Sequence, residues 1–223
     1  MFKLPKIICF LTSLTLSVYV QASEVTTEVR EIDGKKVIYM FIDGIKVHET
    51  DPAKEPFPPI VKPKAYDAGS AKAPQGAEIL FDGSQQSMSN WTSVKGKPTK
   101  WKFEDGALVA APRAGYIRSK KEFGSCRVYL EFATPTSAKG SGQASGNSGV
   151  FLMGKYEIQV LNSFGVNANS TYPDGQCGAL YGRAKPMVNA SRASGQWQTY
   201  DITFTRPLFD EQGKVTRRAK FRV

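Results

Sequence analysis

Short stretches with period-two alternation constrain this chain more than any other sequence feature. Apolar and polar residues alternate over 127–132, 156–160 and 197–204, which is typical of strands with one buried face. Asp-Gly and glycine-rich turns separate such runs, and no stretch of roughly twelve or more residues carries a helical apolar stripe. The pattern therefore predicts an all-β protein built as a sandwich of antiparallel sheets.

The first 22 residues have the pattern of a secretory signal peptide. Lys3 and Lys6 form a basic start, an apolar run covers residues 7–20, and small residues precede a predicted cleavage site after Ala22. The apolar run is too short to cross a bilayer comfortably. We therefore expect a secreted or periplasmic protein without stable membrane insertion, the alternative being an N-terminal membrane anchor.

Two segments of different character precede the main domain. Residues 23–50 contain Asp33-Gly34 and Asp43-Gly44 between β-prone runs, which predicts a β-hairpin or small β-meander. Residues 51–75 are rich in proline, which favours extended geometry and predicts a linker of moderate stiffness. The remaining residues, 76–223, hold the predicted sandwich. His48 lies in the meander without neighbouring ligand residues, and we expect it to be a surface residue.

The positive net charge by itself suggests a nucleic-acid partner, but the distribution of the basic residues argues against one. The formal net charge is +10, from 30 Lys+Arg and 20 Asp+Glu, and removal of Lys3 and Lys6 with the leader brings it to +8. The basic residues are scattered, and no helix-turn-helix or zinc-finger pattern accompanies them, so we expect no nucleic-acid partner. After cleavage, Cys126 and Cys177 remain. They either pair in an oxidising compartment or persist as two buried free thiols.

Strand alternation also groups candidate site residues. It places Glu157 and Gln159 on one face of their strand and directs Glu131 outward from another strand. The segment Gly146-Asn147-Ser148-Gly149 positions an amide immediately before an apolar strand. On a concave sheet, carboxylates, amides and aromatic rings would form a sugar cleft. The alternative is an ordinary solvated sheet face.

Several ordered motifs carry a family resemblance. They are Phe81-Asp82-Gly83, Trp101-Lys102-Phe103-Glu104-Asp105-Gly106, Gly146-Asn147-Ser148-Gly149-Val150-Phe151-Leu152, Tyr156-Glu157-Ile158-Gln159-Val160-Leu161, Asp174-Gly175-Gln176, Ala179-Leu180-Tyr181-Gly182, Val188-Asn189-Ala190-Ser191-Arg192 and Gly195-Gln196-Trp197-Gln198-Thr199-Tyr200-Asp201-Ile202. Over residues 76–223 the series resembles the 3-keto-disaccharide hydrolase domain family, also described as 3-keto-glucoside-1,2-lyase/3-keto-2-hydroxy-glucal hydratase. The resemblance implies a concanavalin-A-like jelly-roll sandwich with a carbohydrate cleft on its concave side.

The resemblance further implies an exported carbohydrate-active protein that cleaves 3-keto-glycosides or 3-keto-disaccharides. Removal of the C2 proton would lead to elimination or hydrolysis. For this reaction, residue type, predicted facing and motif position make Glu157 the candidate base and Glu131 a second carboxylate, with Tyr181 or Arg183 to stabilise or protonate and Asn147 and Gln159 to hold sugar oxygens. A divalent metal is an option for which the sequence names no ligand set. The rival functions are a non-catalytic carbohydrate-binding module and a structural envelope domain.

Two departures from the family pattern accompany the resemblance. Asn162 stands where family members commonly have Asp. The family domain also normally continues into further strands beyond the equivalent of Val223. We therefore expect a jelly roll that is incomplete at its C-terminus, with an unpaired sheet edge and low solubility.

Overall fold

The structure is a computed structural model. It describes residues 57–136, 142–165 and 171–223, together with strands within 2–49. Contacts divide the chain into two compact units. The first comprises Met1–Ser17, Ala65–Thr136 and Gly195–Val223, and the second comprises Val18–Lys64 and Ser137–Ser194.

Antiparallel β-strands form nearly all the regular structure of the described residues, which confirms the predicted all-β class. In chain order the strands are β1 (Phe2–Leu4), β2 (Ile7–Leu11), β3 (Val25–Ile32), β4 (Lys35–Ile42), β5 (Ile45–Glu49), β6 (Glu78–Phe81), β7 (Trp91–Ser93), β8 (Lys102–Glu104), β9 (Ala107–Ala110), β10 (Ile117–Ser119), β11 (Cys126–Phe132), β12 (Ser148–Leu152), β13 (Tyr156–Val160), β14 (Gln198–Thr205), β15 (Leu208–Phe209), β16 (Val215–Arg217) and β17 (Lys220–Arg222). Short 3-10 turns occur at Gln86–Asn90, Gly142–Ala144 and Pro173–Gly175.

The first unit contains a five-stranded antiparallel sheet in the order β17-β14-β11-β2-β6. Its central pairing joins β11 and β14 over seven residues, from Cys126 opposite Phe204 to Phe132 opposite Gln198. Alternate side chains of β14 are buried, as the sequence pattern predicts. The fully buried aromatic and aliphatic residues of this unit form its core, and they include Phe81, Leu108, Leu130, Phe132, Ile202 and Phe204.

Strand β2 lies inside this sheet and pairs antiparallel with β11 on one side and β6 on the other. Strand β1 pairs with β9 in a separate three-stranded sheet, β1-β9-β8. Both strands fall within the predicted signal peptide. Cleavage after Ala22 would therefore separate β1 and β2 from the rest of the chain.

The second unit contains the predicted N-terminal meander and the hairpin formed by β12 and β13. Strands β3, β4 and β5 pair antiparallel in that order, which confirms the meander. The two Asp-Gly turns between them lie outside the described residues. The β12–β13 pairing runs from Ser148 opposite Val160 to Leu152 opposite Tyr156. Ile158 and Val160 are fully buried.

The proline-rich segment makes specific hydrogen bonds in both units. In the second unit, Val61 donates its amide to the Asn189 carbonyl at 3.0 Å, and Asn189 donates its own amide to Pro59 at 2.9 Å. In the first unit, Tyr66 and Gly69 bind a buried carboxylate that is described below. The part of this segment that the structure describes is therefore held against its neighbours at several points.

Cys126 and Cys177 are both buried and are not joined in a disulfide, so the first of the two alternatives left open by the sequence is not observed. Among the described residues, no helix has the length and apolar character needed to cross a membrane.

Candidate functional site

The β12–β13 hairpin carries the most chemically suggestive side chains of the second unit. Its register places Phe151 opposite Glu157 and Gly149 opposite Gln159. Directly opposed residues of an antiparallel pair point to the same face, so these four residues share one face. The predicted grouping of Glu157 with Gln159 therefore follows from the observed register.

The side chain of Glu157 extends across the paired strand β12 and lies over Gly149. A Cβ atom built on Gly149 would lie 2.7 Å from both Cγ and Cδ of Glu157 and closer still to its Oε1. Ordinary carbon contacts are about 3.5–4.0 Å. The absence of a side chain at Gly149 therefore makes room for the Glu157 carboxylate.

The surroundings of Glu157 make its carboxylate a stronger base than an ordinary carboxylate. Burial raises the pKa of Glu157 from 4.5 to about 7, because desolvation disfavours the charged form. Among the described residues, no side chain donates a hydrogen bond to this carboxylate. A partly buried carboxylate that titrates near neutral pH and has unused acceptor positions is suited to general-base catalysis.

Tyr172 and Tyr181 accompany Glu157. The two hydroxyl groups are hydrogen-bonded to each other, and the ring centroids are 6.1 Å apart. Burial raises the pKa of both hydroxyls, and the negative charge of Glu157 raises them further. Both tyrosines therefore stay neutral near pH 7 and can act as hydrogen-bond donors.

Backbone pairing brings Tyr181 to this site. The amide of Tyr181 donates to the Glu157 carbonyl at 2.9 Å, and the amide of Gln159 donates to Ala179 at 2.9 Å. Leu180 forms an antiparallel bridge with Ile158. Residues 179–181 thus lie alongside β13 through this isolated bridge, and they belong to the motif Ala179-Leu180-Tyr181-Gly182.

Tyr172 was not among the residues singled out from the sequence. It comes just before the 3-10 turn at Pro173–Gly175, and Gly175 is where its ring fits closely. A Cβ atom on Gly175 would lie 2.7 Å from Cδ2 of Tyr172. The Asp174-Gly175-Gln176 motif marks this turn, but the motif by itself assigns no neighbour to the turn.

The two amides predicted to bind sugar, those of Gln159 and Asn147, take part in a hydrogen-bond network centred on Gln143. Gln159 is almost fully buried and donates to Gln143 Oε1 at 2.7 Å. Asn147 is exposed, and its amide nitrogen donates to the Gln143 carbonyl at 3.0 Å and to Gln143 Oε1 at 3.1 Å. Gln143 also donates to Gly175 O at 2.8 Å. This network supports the strand and turn beside Glu157.

The two other predicted site residues, Glu131 and Arg183, each have neighbours of their own. Arg183 is exposed, and its guanidinium carbon is 5.5 Å from the ring centroid of Tyr156, which points to the opposite face of β13. Glu131 belongs to the first unit and is fully buried. These placements give Glu131 and Arg183 surroundings different from that of Glu157.

Glu131 anchors the proline-rich segment to β11. Its two carboxylate oxygens accept the amide of Gly69 at 3.1 and 3.0 Å, and Oε1 also accepts the Tyr66 hydroxyl. Tyr66 is in turn 2.9 Å from the Tyr129 hydroxyl. Burial and the neighbouring Glu131 raise the pKa of Tyr66. A fully buried carboxylate with these donors is suited to fixing the proline-rich segment to β11.

No group of three or more His, Cys, Asp and Glu side chains comes together as a metal site within the part of the chain that the structure describes. Asn162, which stands where the family commonly has Asp, donates its side-chain amide to Ser145 Oγ at 3.3 Å.

Comparison with known proteins gives a family match and a similar solved structure. The sequence model of the 3-keto-alpha-glucoside-1,2-lyase-like domain matches residues 76–210, which is more than half of the chain. A solved structure from Parabacteroides distasonis ATCC 8503, described as a "putative glycosyl hydrolase", has 39% sequence identity and a TM-score of 0.64. The match covers 75% of this chain and 69% of that one. No functionally curated protein sequence matches.

Fold and comparisons together define a carbohydrate-active β-sandwich protein of the jelly-roll type. More specifically, the chain belongs to the 3-keto-alpha-glucoside-1,2-lyase-like domain family. The resemblance drawn from the ordered motifs is thereby confirmed.

Proposed function

We propose that this protein cleaves 3-keto-glycosides by removing the C2 proton and eliminating the substituent at C1. The observation that supports the proposal most strongly is Glu157, a partly buried carboxylate with a pKa of about 7 beside two neutral tyrosine hydroxyls. The family match supports the proposed substrate class.

The proposed reaction begins at the carbon next to the ketone. A ketone at C3 acidifies the proton at C2, and the Glu157 carboxylate removes that proton. The electron pair of the C2–H bond moves into the enolate and then forms the C1=C2 double bond as the C1–O bond breaks. The departing oxygen takes up the proton that Glu157 removed, directly or through a water molecule, and the product is a 2-hydroxy-3-keto-glucal. Addition of water across the double bond would then give the free 3-keto sugar.

Tyr172 and Tyr181 are better suited to stabilising the enolate by hydrogen bonding than to protonating the leaving group. Their raised pKa values make them reluctant to give up a proton, but a neutral hydroxyl still donates a strong hydrogen bond to a developing oxyanion. The bond between the two hydroxyls uses one of their two hydrogens, and we assign the other to the C3 oxygen. Removing one such donor typically lowers kcat by about 10²–10³-fold. We expect a loss of that order for Tyr172→Phe.

The test uses a 3-keto-α-glucoside carrying deuterium at C2. Elimination through Glu157 predicts loss of the deuterium, a slower reaction than with the protiated substrate, and appearance of the glucal by NMR. Glu157→Gln should abolish turnover, whereas Glu122→Gln, which alters an exposed carboxylate, should leave it unchanged. Retention of deuterium in the product would instead indicate direct hydrolysis. Unchanged turnover in Glu157→Gln would show that another group is the base.

A non-catalytic sugar-binding role is the second candidate, and Phe151 favours it. This ring is 41% exposed and shares its face with Glu157. Sugar-binding sites commonly combine a few polar groups with an aromatic surface. Saturable binding of a 3-keto-glucoside without any glucal or free 3-keto sugar would identify the protein as a binding module.

We also propose that the protein is exported, on the basis of the basic and apolar pattern of residues 1–22. Mass spectrometry of the protein recovered outside the cytoplasm should find Ser23 as the first residue. A chain that is cleaved after Ala22 no longer contains β2. Recovery of the exported protein with an intact Met1 would contradict the proposed cleavage.

A further inference from the structure

A concentration of unpaired cations lies at the end of the first unit. Residues 206–222 contain six Lys and Arg residues and only two acidic residues, Asp210 and Glu211. Four of the cations occur within six residues, on β17 and at the end of β16. We call these four the basic strip: Arg217, Arg218, Lys220 and Arg222. All four side chains are exposed.

Strand geometry sets the direction of the β17 cations. The ring of Phe221 is 5.1 Å from the ring of Phe204, which is buried in the core. Lys220 and Arg222 flank Phe221, and alternation therefore directs both to the opposite, outer face. Alternate residues on a strand are roughly 6.8 Å apart. The two charges thus form a row along the strand.

The strip is not neutralised by neighbouring carboxylates. None of its four members forms an ion pair among the described residues. Asp201 lies near Arg222, but it is bound by Arg127, with Arg127 Nε 2.7 Å from Asp201 Oδ1. Asp210 accepts the amides of Gln212 and Lys214. Glu211 is the other acidic residue of this stretch and is exposed.

We propose that the basic strip binds a carboxylated polysaccharide. Three of its four members are arginines, whose planar guanidinium groups match carboxylates in a two-point geometry. The row along β17 suits an extended polyanion. Single-stranded nucleic acid commonly adds base stacking on aromatic rings, but Phe221, the aromatic residue within β17, packs on Phe204. The proposal concerns residues that take no part in the proposed reaction and does not depend on that reaction.

The competing explanation is that these charges only protect a sheet edge. Strand β17 is the last strand of its sheet in the described residues, and charged residues on edge strands discourage unwanted pairing with other chains. Protection of that kind requires no ligand. The two explanations differ in whether a defined polyanion binds at this position.

Binding to polygalacturonate, measured by calorimetry at physiological salt, tests the proposal, with neutral dextran and single-stranded DNA as comparisons. The double variant K220Q/R222Q should bind polygalacturonate roughly tenfold more weakly, because two exposed charge pairs with the polymer are lost. The control K95Q/K97Q removes the same charge from an exposed turn after β7 and should change binding less than twofold. Turnover of a small 3-keto-glucoside should be unchanged in both variants.

Three results would overturn the proposal: no binding of polygalacturonate, equal weakening in both double variants, or tighter binding of DNA than of polygalacturonate. Equal weakening would mean that net charge alone attracts the polymer. If K220Q/R222Q unfolds at a lower temperature than the control, R217Q/R218Q provides the same test, because both residues are exposed and lie outside β17.

Discussion

Replacing Gly149 by alanine should remove activity while leaving the fold nearly unchanged. The new Cβ atom would lie 2.7 Å from Cγ and Cδ of Glu157. Because ordinary carbon contacts are about 3.5–4.0 Å, the Glu157 side chain has to retreat by roughly 1 Å. A misplacement of about 1 Å in a reacting group can lower the rate about 10²-fold. We expect kcat for a 3-keto-glucoside to fall by that order.

The cost in stability should be small. Glu157 is a flexible side chain, and it can swing aside without moving the backbone. Gly149 also lies outside the left-handed region, so alanine is compatible with its backbone. We expect a change in the free energy of unfolding of about 1 kcal/mol or less, since ordinary rotamer rearrangements are of this size. Thermal melts and far-UV circular dichroism check this point.

A double-mutant cycle tests the physical cause. If Gly149 acts by making room for Glu157, then G149A should have almost no further effect in a chain that already carries E157Q. Additive losses would refute the reasoning, because they would mean that Gly149 contributes to activity independently of the carboxylate. Wild-type activity in G149A would show that the position of Glu157 over Gly149 is unimportant.

Three further predictions concern pH, anchoring and the N-terminal strands. The pKa of Glu157 is about 7 in the folded state and 4.5 ordinarily, so this residue makes the folded state less stable as pH rises from 4.5 to 7. In chemical denaturation, E157Q should therefore be more stable than wild type at pH 8 and equal to it below pH 4.5. A stability difference that stays constant with pH would contradict the raised pKa. Tyr66→Phe should lower the free energy of unfolding by about 1.5–3 kcal/mol through loss of the hydrogen bond to the Glu131 carboxylate. Tyr129→Phe should lower it by only about 1 kcal/mol. Equal effects would argue against Glu131 as the group that anchors the proline-rich segment to β11. Removal of residues 1–22 should lower Tm by roughly 5 °C or more, because β2 pairs with strands on both sides; an unchanged Tm would mean that this pairing adds nothing to stability.

The sequence determined the features that depend on neighbouring residues. Alternation over 127–132, 156–160 and 197–204 predicted β11, β13 and β14, because successive side chains of any strand point to opposite faces. The same local rule placed Glu157 and Gln159 on one face. Turn residues predicted the meander of β3–β5, and the order of the motifs identified the family.

The tertiary structure decided which of those residues are reachable and what surrounds them. Gln159 and Glu131 were expected on accessible faces, yet distant segments cover both: Gln143 and Gly175 bind Gln159, and Gly69 binds Glu131. Tyr172 was missed because it approaches Tyr181 through a turn. Alternation fixes the direction of a side chain along its own strand. Burial, pKa and partners depend on chain segments that are remote in sequence, and only folding brings those segments together.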